Sequence, residues 1–327
     1  MHSLSSFSIT LLLLASSVSS SPVQRRAKYW SGFKGVQKWF SFGDSYTQTG
    51  FVPTGAQPSP SNPFGNPAYP GYTSSNGPNW LDFVTTTYNE SFIDVYNLAY
   101  GGATVDASLV APYESTVLSF IDQVNQEYLP IYTGSNNTVG WTSSNSIFSF
   151  FFGINDIGNS YYNQNATLYD VIISEYAGLV EKIYQTGGRN FLFLNVPPVD
   201  LSPGTAITYG SSASQQENTW ISYFNNKISG LASNFTANHS DATTFVFDIH
   251  NVFENIIKNP KTYTQSSGIL NTTNYCTAYE NGTPTEDYLD PSCGIPVQEY
   301  FWLNTLHPVF PVHNASGAQL ANQLAAS

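Results

Sequence analysis

"KWFSFGDSYTQTG" (residues 38–50) sets a short apolar run, Trp39-Phe40-Ser41-Phe42, directly against a small turn, Gly43-Asp44-Ser45. An apolar run that ends in Gly-Asp-Ser reads as a strand handing over to a tight loop. Ser45 at that handover is either a nucleophile or a serine in a turn. The choice rests on whether the chain also supplies a base, a group to orient that base, and donors for an oxyanion.

Similar apolar runs recur downstream: "SFIDVYNLA" (91–99), "SIFSFFFG" (146–153), "RNFLFLNVPP" (189–198) and "TTFVFDIH" (243–250). Segments of helical period lie between and after them, at 114–129, 169–188, 214–235 and 317–326. In the second, Ile172, Tyr176, Leu179, Val180 and Ile183 recur at three- and four-residue steps before Gly187-Gly188. Strands alternating with helices predict an α/β fold, a three-layer α/β/α sandwich around a parallel five-stranded sheet. Function in such a domain gathers beyond the carboxyl ends of the strands. The Pro/Gly-rich stretch 51–80 is expected to be a loop over the first strand's end, and 258–295 a second irregular insertion. With no internal repeat and no linker, residues 39–327 read as a single domain.

Residues 9–15 form an apolar core followed by serines, so 1–20 are expected to be a secretory signal peptide, too short to span a bilayer. The segment 21–38 holds Arg25-Arg26, expected to be a second processing site. No later stretch is apolar enough for a membrane span. Eight sequons, at Asn89, Asn136, Asn165, Asn234, Asn238, Asn271, Asn281 and Asn314, fit a secreted, N-glycosylated chain. The two cysteines, Cys276 and Cys293, are expected to close one local disulfide and, with no histidine cluster nearby, make no metal site. Net charge is −12 with only 10% charged residues, against a usual value of about 25%. Such a surface repels nucleic acid and suits a neutral substrate. Aromatic residues at 15% suit carbohydrate.

No G-x-S-x-G occurs, so the nucleophile elbow of the α/β-hydrolases is not the device here. Four other blocks occur in order: "FGDSYTQTG", "NLAYGGA", "GINDIGN" and "LHP", spanning residues 40–308. In that ordered set the chain resembles the GDSL, or SGNH, hydrolases, a superfamily of serine esterases and lipases with a flavodoxin-like fold. The resemblance implies Ser45 as nucleophile and His307 as general base. It implies an oxyanion hole built from the backbone N–H of Ser45, from Gly102 and from the Asn155 amide. Gly153 is expected to bend the chain so that Asn155 is aimed, and Asp44 and Asp156 to serve as structural neighbours of the site. Of the other histidines, His313 is close enough in sequence to rival His307, and His250 is expected to bond locally.

The sequence departs from the family at residue 304. The family places an aspartate three residues before the histidine, and here Asn304 stands in that place. Either its amide oxygen orients the ring, or another carboxylate reaches it; the first is the reading adopted here. An aspartate restored at 304 is then expected to preserve or raise activity by stabilising imidazolium. Within the superfamily the long Trp/Tyr/Asn-rich form resembles fungal carbohydrate esterase family 16, which implies a secreted, monomeric acetylesterase. It would act on small, acetylated, hemicellulose-derived xylo-oligosaccharides without a cofactor. Asn79, Trp80, Tyr100 and Trp302 are the candidates for sugar contacts, with Trp80 equally a candidate for the core. A general short-chain carboxylesterase or phospholipase shares every catalytic residue, and an inactive carbohydrate-binding homologue is the third alternative.

Overall fold

The computed structural model describes residues 28–327, so the expected leader and the paired arginines lie outside the described residues. Five strands form one sheet: β1 (Lys38–Gly43), β2 (Asp94–Asn97), β3 (Ser146–Phe151), β4 (Asn190–Leu194) and β5 (Thr243–Phe247). Their order is β2-β1-β3-β4-β5 and every neighbouring pair is parallel. That is the doubly wound, flavodoxin-like order, which reverses between β1 and β3 and opens a crevice beyond their carboxyl ends.

The two-residue period of the strands sorts the core into two layers. On one face Phe40 and Phe42 lie beside Phe148 and Phe150, with ring centroids 5.2 and 5.6 Å apart. The Tyr128 ring meets the edges of Phe40 and Phe42 from above. On the other face the Trp39 indole N–H donates to Ser149 Oγ at 2.8 Å, and that hydroxyl donates to Ser41 Oγ at 2.9 Å. The buried polar atoms of this layer are thus paired with one another, as a dry interior requires.

Eight α-helical segments cover the sheet: α1 (Trp80–Asp82), α2 (Phe120–Asp122), α3 (Leu129–Tyr132), α4 (Ile154–Gly158), α5 (Ala166–Gln185), α6 (Ser211–Asn238), α7 (Ile249–Lys258) and α8 (Phe310–Ala325). Three of them correct the sequence expectations. The helix expected over 114–129 starts at Phe120, where Ser119 and Asp122 form a capping box. It then widens into a π-turn, Gln123–Tyr128, ahead of α3. Pro130 in α3 has no N–H and its ring crowds the preceding turn, so a wider winding before it relieves the conflict. The last helix begins at Phe310 rather than 317, because Pro311 falls in its first turn, where a fixed φ assists. The run 243–250 is a strand only to Phe247; Asp248 then caps α7, which buries Ile249, Val252, Phe253 and Ile256.

Both insertions are more structured than their composition implies. In the 51–80 loop Phe51 and Phe64 are buried, and Val95 N–H donates to Pro63 O at 2.8 Å. The loop therefore covers part of the free edge of β2. The 258–295 insertion contains short 3-10 turns, buries Ile269 and Tyr279, and is closed by the Cys276–Cys293 disulfide with Cα atoms 5.7 Å apart.

Helix α8 lies close against α1 because Gly317 has no side chain. A Cβ there would stand 2.8 Å from Phe83 Cβ and 3.1 Å from the Trp80 carbonyl oxygen. Gly317→Ala is expected to destabilise the protein by about 1–3 kcal/mol through overpacking, despite the better helix propensity of alanine. Urea denaturation of the two proteins measures the difference; an equally or more stable variant would refute the close approach.

Candidate active site

Ser45 sits in the turn that follows β1, and the turn is held from below. Asp44 Oδ1 accepts from Tyr46 N–H at 3.0 Å, and the Asp44 carbonyl accepts from Thr47 and Gln48 N–H. Two buried asparagines, Asn79 and Asn97, both donate to the Thr47 carbonyl, at 2.8 and 2.7 Å. The Gln123 side chain brackets Gly43, accepting from its N–H at 3.1 Å and donating to its carbonyl at 2.9 Å. Backbone groups at the end of β1 thus find side-chain partners where the sheet has stopped supplying them.

His307 arrives from the other end of the chain. Its loop folds back on itself through Leu303 N–H to His307 O at 2.8 Å and Val309 N–H to Phe301 O at 2.9 Å. The Tyr46 hydroxyl donates to the Leu306 carbonyl at 2.6 Å and ties this loop to the serine turn. His307 Nε2 then lies 2.7 Å from Ser45 Oγ, while Nδ1 lies 3.1 Å from Asn304 Oδ1. Asn304 Oδ1 also accepts from the N–H groups of Leu306 and His307. Its Nδ2 donates to the Glu280 carbonyl at 3.3 Å. With the amide turned this way its oxygen faces the ring, so Nδ1 carries the hydrogen and the Nε2 lone pair faces Ser45. Among the described residues no carboxylate hydrogen-bonds the ring. Burial therefore acts unopposed and pushes the His307 imidazole down to about 4.

Gly102 has φ +82°, and a Cβ there would run into the Tyr113 ring. Neither its N–H nor that of Ser45 donates to a protein acceptor among the described residues. Gly153 has φ +119°, and its Cβ would stand 2.5 Å from Val196 Cγ2 and 2.6 Å from Phe224 Cε1. Only glycine fits this αL turn, which starts α4 and places Asn155 in its first turn. Asn155 Nδ2 donates to the Ala103 carbonyl at 3.0 Å and to Asp44 Oδ2 at 3.3 Å. Asp156 Oδ1 accepts from Val105 N–H at 3.0 Å, so the second and third blocks are bonded to each other. Burial raises both carboxyls, Asp44 to about 8 and Asp156 to about 7.

Several sequence-predicted residues lie elsewhere. Trp80 is 1% exposed and belongs to the core, Asn79 caps α1, and Trp302 is buried with its indole donating to Thr272 O. None of these three faces the cleft, whereas Tyr100 is partly exposed. His313 is buried in α8 beside Tyr46 and makes no bond to Ser45. His250 lies in α7 and bonds the Val196 carbonyl at 2.9 Å. The exposed tyrosines around the site are others: Tyr72, Tyr113, Tyr162 and Tyr209. Sequence reading also missed Glu217, which heads the buried stripe of α6, Glu217-Ile221-Phe224-Ile228. A carboxylate on an apolar helical stripe was the signal that marked it.

Two cavities flank the Ser45–His307 pair. One, of about 760 Å³, runs from Asn155 past Tyr162 and Tyr209 to Glu217. The other, of about 860 Å³, lies between the 70–77 and 280–284 loops and is bounded by Asn304 and His307. Among the described residues no cluster of side chains fit to hold a metal occurs, and no helix is long and apolar enough to cross a membrane.

The chain matches the family model of the GDSL-like lipases/acylhydrolases over residues 40–302, a stretch that takes in Ser45, Gly102 and Asn155. The chain belongs to that family. It is a serine carboxylic ester hydrolase. It is 38% identical over 228 residues to an acetylesterase of Thermothelomyces thermophilus, covering 68% of this chain and 74% of the relative. A GDSL esterase/lipase of Arabidopsis thaliana is 24% identical over 269 residues, 70% of each chain. A solved acetylxylan esterase of Geobacillus stearothermophilus aligns with 91% of this chain and 96% of its own, at 13% identity and a TM-score of 0.49.

A general base must be neutral to work, so the rate is lost as pH falls through its pKa. For this GDSL hydrolase kcat/KM on 4-nitrophenyl acetate is expected to hold through pH 5 and fall near pH 4. In Asn304→Asp a charge beside the ring favours imidazolium, and the acid limb moves to higher pH. The second carboxylate oxygen would also face the Glu280 carbonyl, which opposes the gain expected from the charge alone. Lower activity at pH 5 than in the parent is the expected result; an unmoved limb would show that residue 304 does not govern the ring.

Proposed function

We propose that this hydrolase is a secreted acetylesterase that removes O-acetyl groups from small, hemicellulose-derived xylo-oligosaccharides, with Ser45 as nucleophile and His307 as base. The observation that carries the reading is the relay Asn304 Oδ1–His307–Ser45 Oγ at 3.1 and 2.7 Å, in a chain 38% identical to an acetylesterase. His307 Nε2 takes the Ser45 proton as Oγ attacks the acetyl carbon. Charge builds on the carbonyl oxygen, which the free N–H groups of Ser45 and Gly102 receive. Asn155 supplies a third donor. Its 3.3 Å bond to Asp44 is the weaker of its two, and burial holds Asp44 protonated below about 8, so an oxyanion outcompetes it.

The tetrahedral intermediate collapses as the bond to the sugar oxygen breaks and His307 returns the proton to that oxygen. Water, deprotonated by the same nitrogen, then releases acetate from Ser45. In serine proteases an amide in the aspartate's place costs about 10⁴ in turnover because it favours the wrong tautomer. Here the Asn304 amine is occupied by Glu280 O, so the tautomer stays correct and only the charge is missing. Secretion fits the sequons, of which Asn136, Asn165, Asn234, Asn238 and Asn281 are exposed, whereas Asn314 is partly buried within α8 and bonded by Tyr88.

Ser45→Ala is expected to remove nearly all turnover of acetylated xylobiose while the melting temperature stays near that of the parent. Asn304→Ala should lower kcat more than it changes KM, since the lost bond acts as imidazolium forms. The parent should prefer acetyl over butyryl esters and act poorly on polymeric acetylxylan. Initial rates of acetate and nitrophenol release test all three. A folded Ser45→Ala variant with parental turnover overturns the nucleophile assignment; turnover of butyryl or longer esters without any acetylated sugar overturns the substrate.

A further inference from the structure

The cavity beside Asn155 ends on a buried carboxyl, with Thr205 beside it. Glu217 is 3% exposed, and its Oε2 has no hydrogen-bond partner. The group lines the cavity together with Thr205, Thr208 and the rings of Tyr162 and Tyr209. A buried carboxyl oxygen without a partner costs about 1–3 kcal/mol or more. A methionine of similar volume in the same stripe would avoid that cost. The two lining tyrosines, Tyr162 and Tyr209, are 63% and 70% exposed and bring apolar rings to the same cavity. A fatty chain entering here would meet the carboxyl, whereas a sugar ring stacks on tyrosine and offers hydroxyls to it. At about 760 Å³ the space lies within the usual range for ligand cavities, about 300–1,000 Å³.

We propose that this cavity is the subsite for the alcohol half of the substrate, and that Glu217 selects hydroxyl-bearing rings by hydrogen-bonding a sugar hydroxyl through Oε1, the carboxyl oxygen that is not sealed inside the protein. The reading rests on the acetylated-carbohydrate substrate proposed above. Glu217 does not touch the reacting atoms; it is a specificity-determining residue in a cavity that Asn155 also lines.

The test compares the parent, Glu217→Met, Glu217→Gln and Tyr209→Ala on acetylated xylobiose and on 4-nitrophenyl acetate, with xylobiose as competitor against the second. The Met variant is expected to melt at or above the parent's temperature. Its ratio of kcat/KM for the sugar ester to that for the nitrophenyl ester should fall about tenfold, mostly through KM, the loss of one hydrogen bond to a carboxyl. The xylobiose inhibition constant should rise in step, and Gln should restore part of both. Tyr209, on the surface, carries the same expectation should the Met variant melt early. Parental ratios and inhibition constants in the Met and Ala variants overturn the subsite. A parent that hydrolyses nitrophenyl acetate but neither turns over acetylated xylobiose nor is inhibited by xylobiose overturns the carbohydrate reading itself.

Discussion

The bond from the Tyr46 hydroxyl to the Leu306 carbonyl joins residues 260 positions apart, and the geometry of the site depends on it. The sheet delivers Ser45 with certainty, because β1 is a central strand and its turn is pinned by Asp44, Asn79 and Asn97. Nothing in the sheet delivers His307, which rides on a loop after the last strand. A 2.7 Å contact between a serine and a ring carried on such a loop needs a local tether. Tyr46 supplies it from the residue next to Ser45, so an error in the position of one segment moves both.

Much of this was legible in the sequence, and the reasons differ by residue. The five strands declare themselves because both faces of a parallel sheet are buried, which forces near-continuous apolar runs. Two of the four motif blocks declare themselves because glycine at 102 and 153 answers a backbone requirement that no other residue meets. Helix α7 was hidden because its apolar period follows β5 with only Asp248 between, and one run looked like a longer strand. The brackets made by Gln123 and Asn97 were not legible at all, since an amide that bonds a distant backbone leaves no periodic trace. Trp302 lies in the core and not at a sugar contact, and Trp80 takes the core of its two readings, because composition cannot tell an aromatic in a core from one on a rim.

Burial rather than ion pairing sets the protonation of this site. Asp44 and Asp156 are held up and His307 is held down, each by removal from water. The net result is a group of neutral polar side chains around the serine at mildly acidic pH. In the proposed mechanism such neutral donors, with no fixed anion against them, are free to respond to the transient oxyanion.

The hydrogen bond from Asn304 to Glu280 has an evolutionary reading. Glu280 belongs to the ring of chain closed by Cys276–Cys293, so the carbonyl that fixes the amide is supplied by the insertion. An aspartate at 304 would meet that carbonyl with a lone pair, and an asparagine without it would keep its oxygen on the Leu306 and His307 N–H groups but lose the partner of Nδ2. The two segments are coupled, so the effect of an aspartate at 304 depends on the stretch of chain that supplies the Glu280 carbonyl.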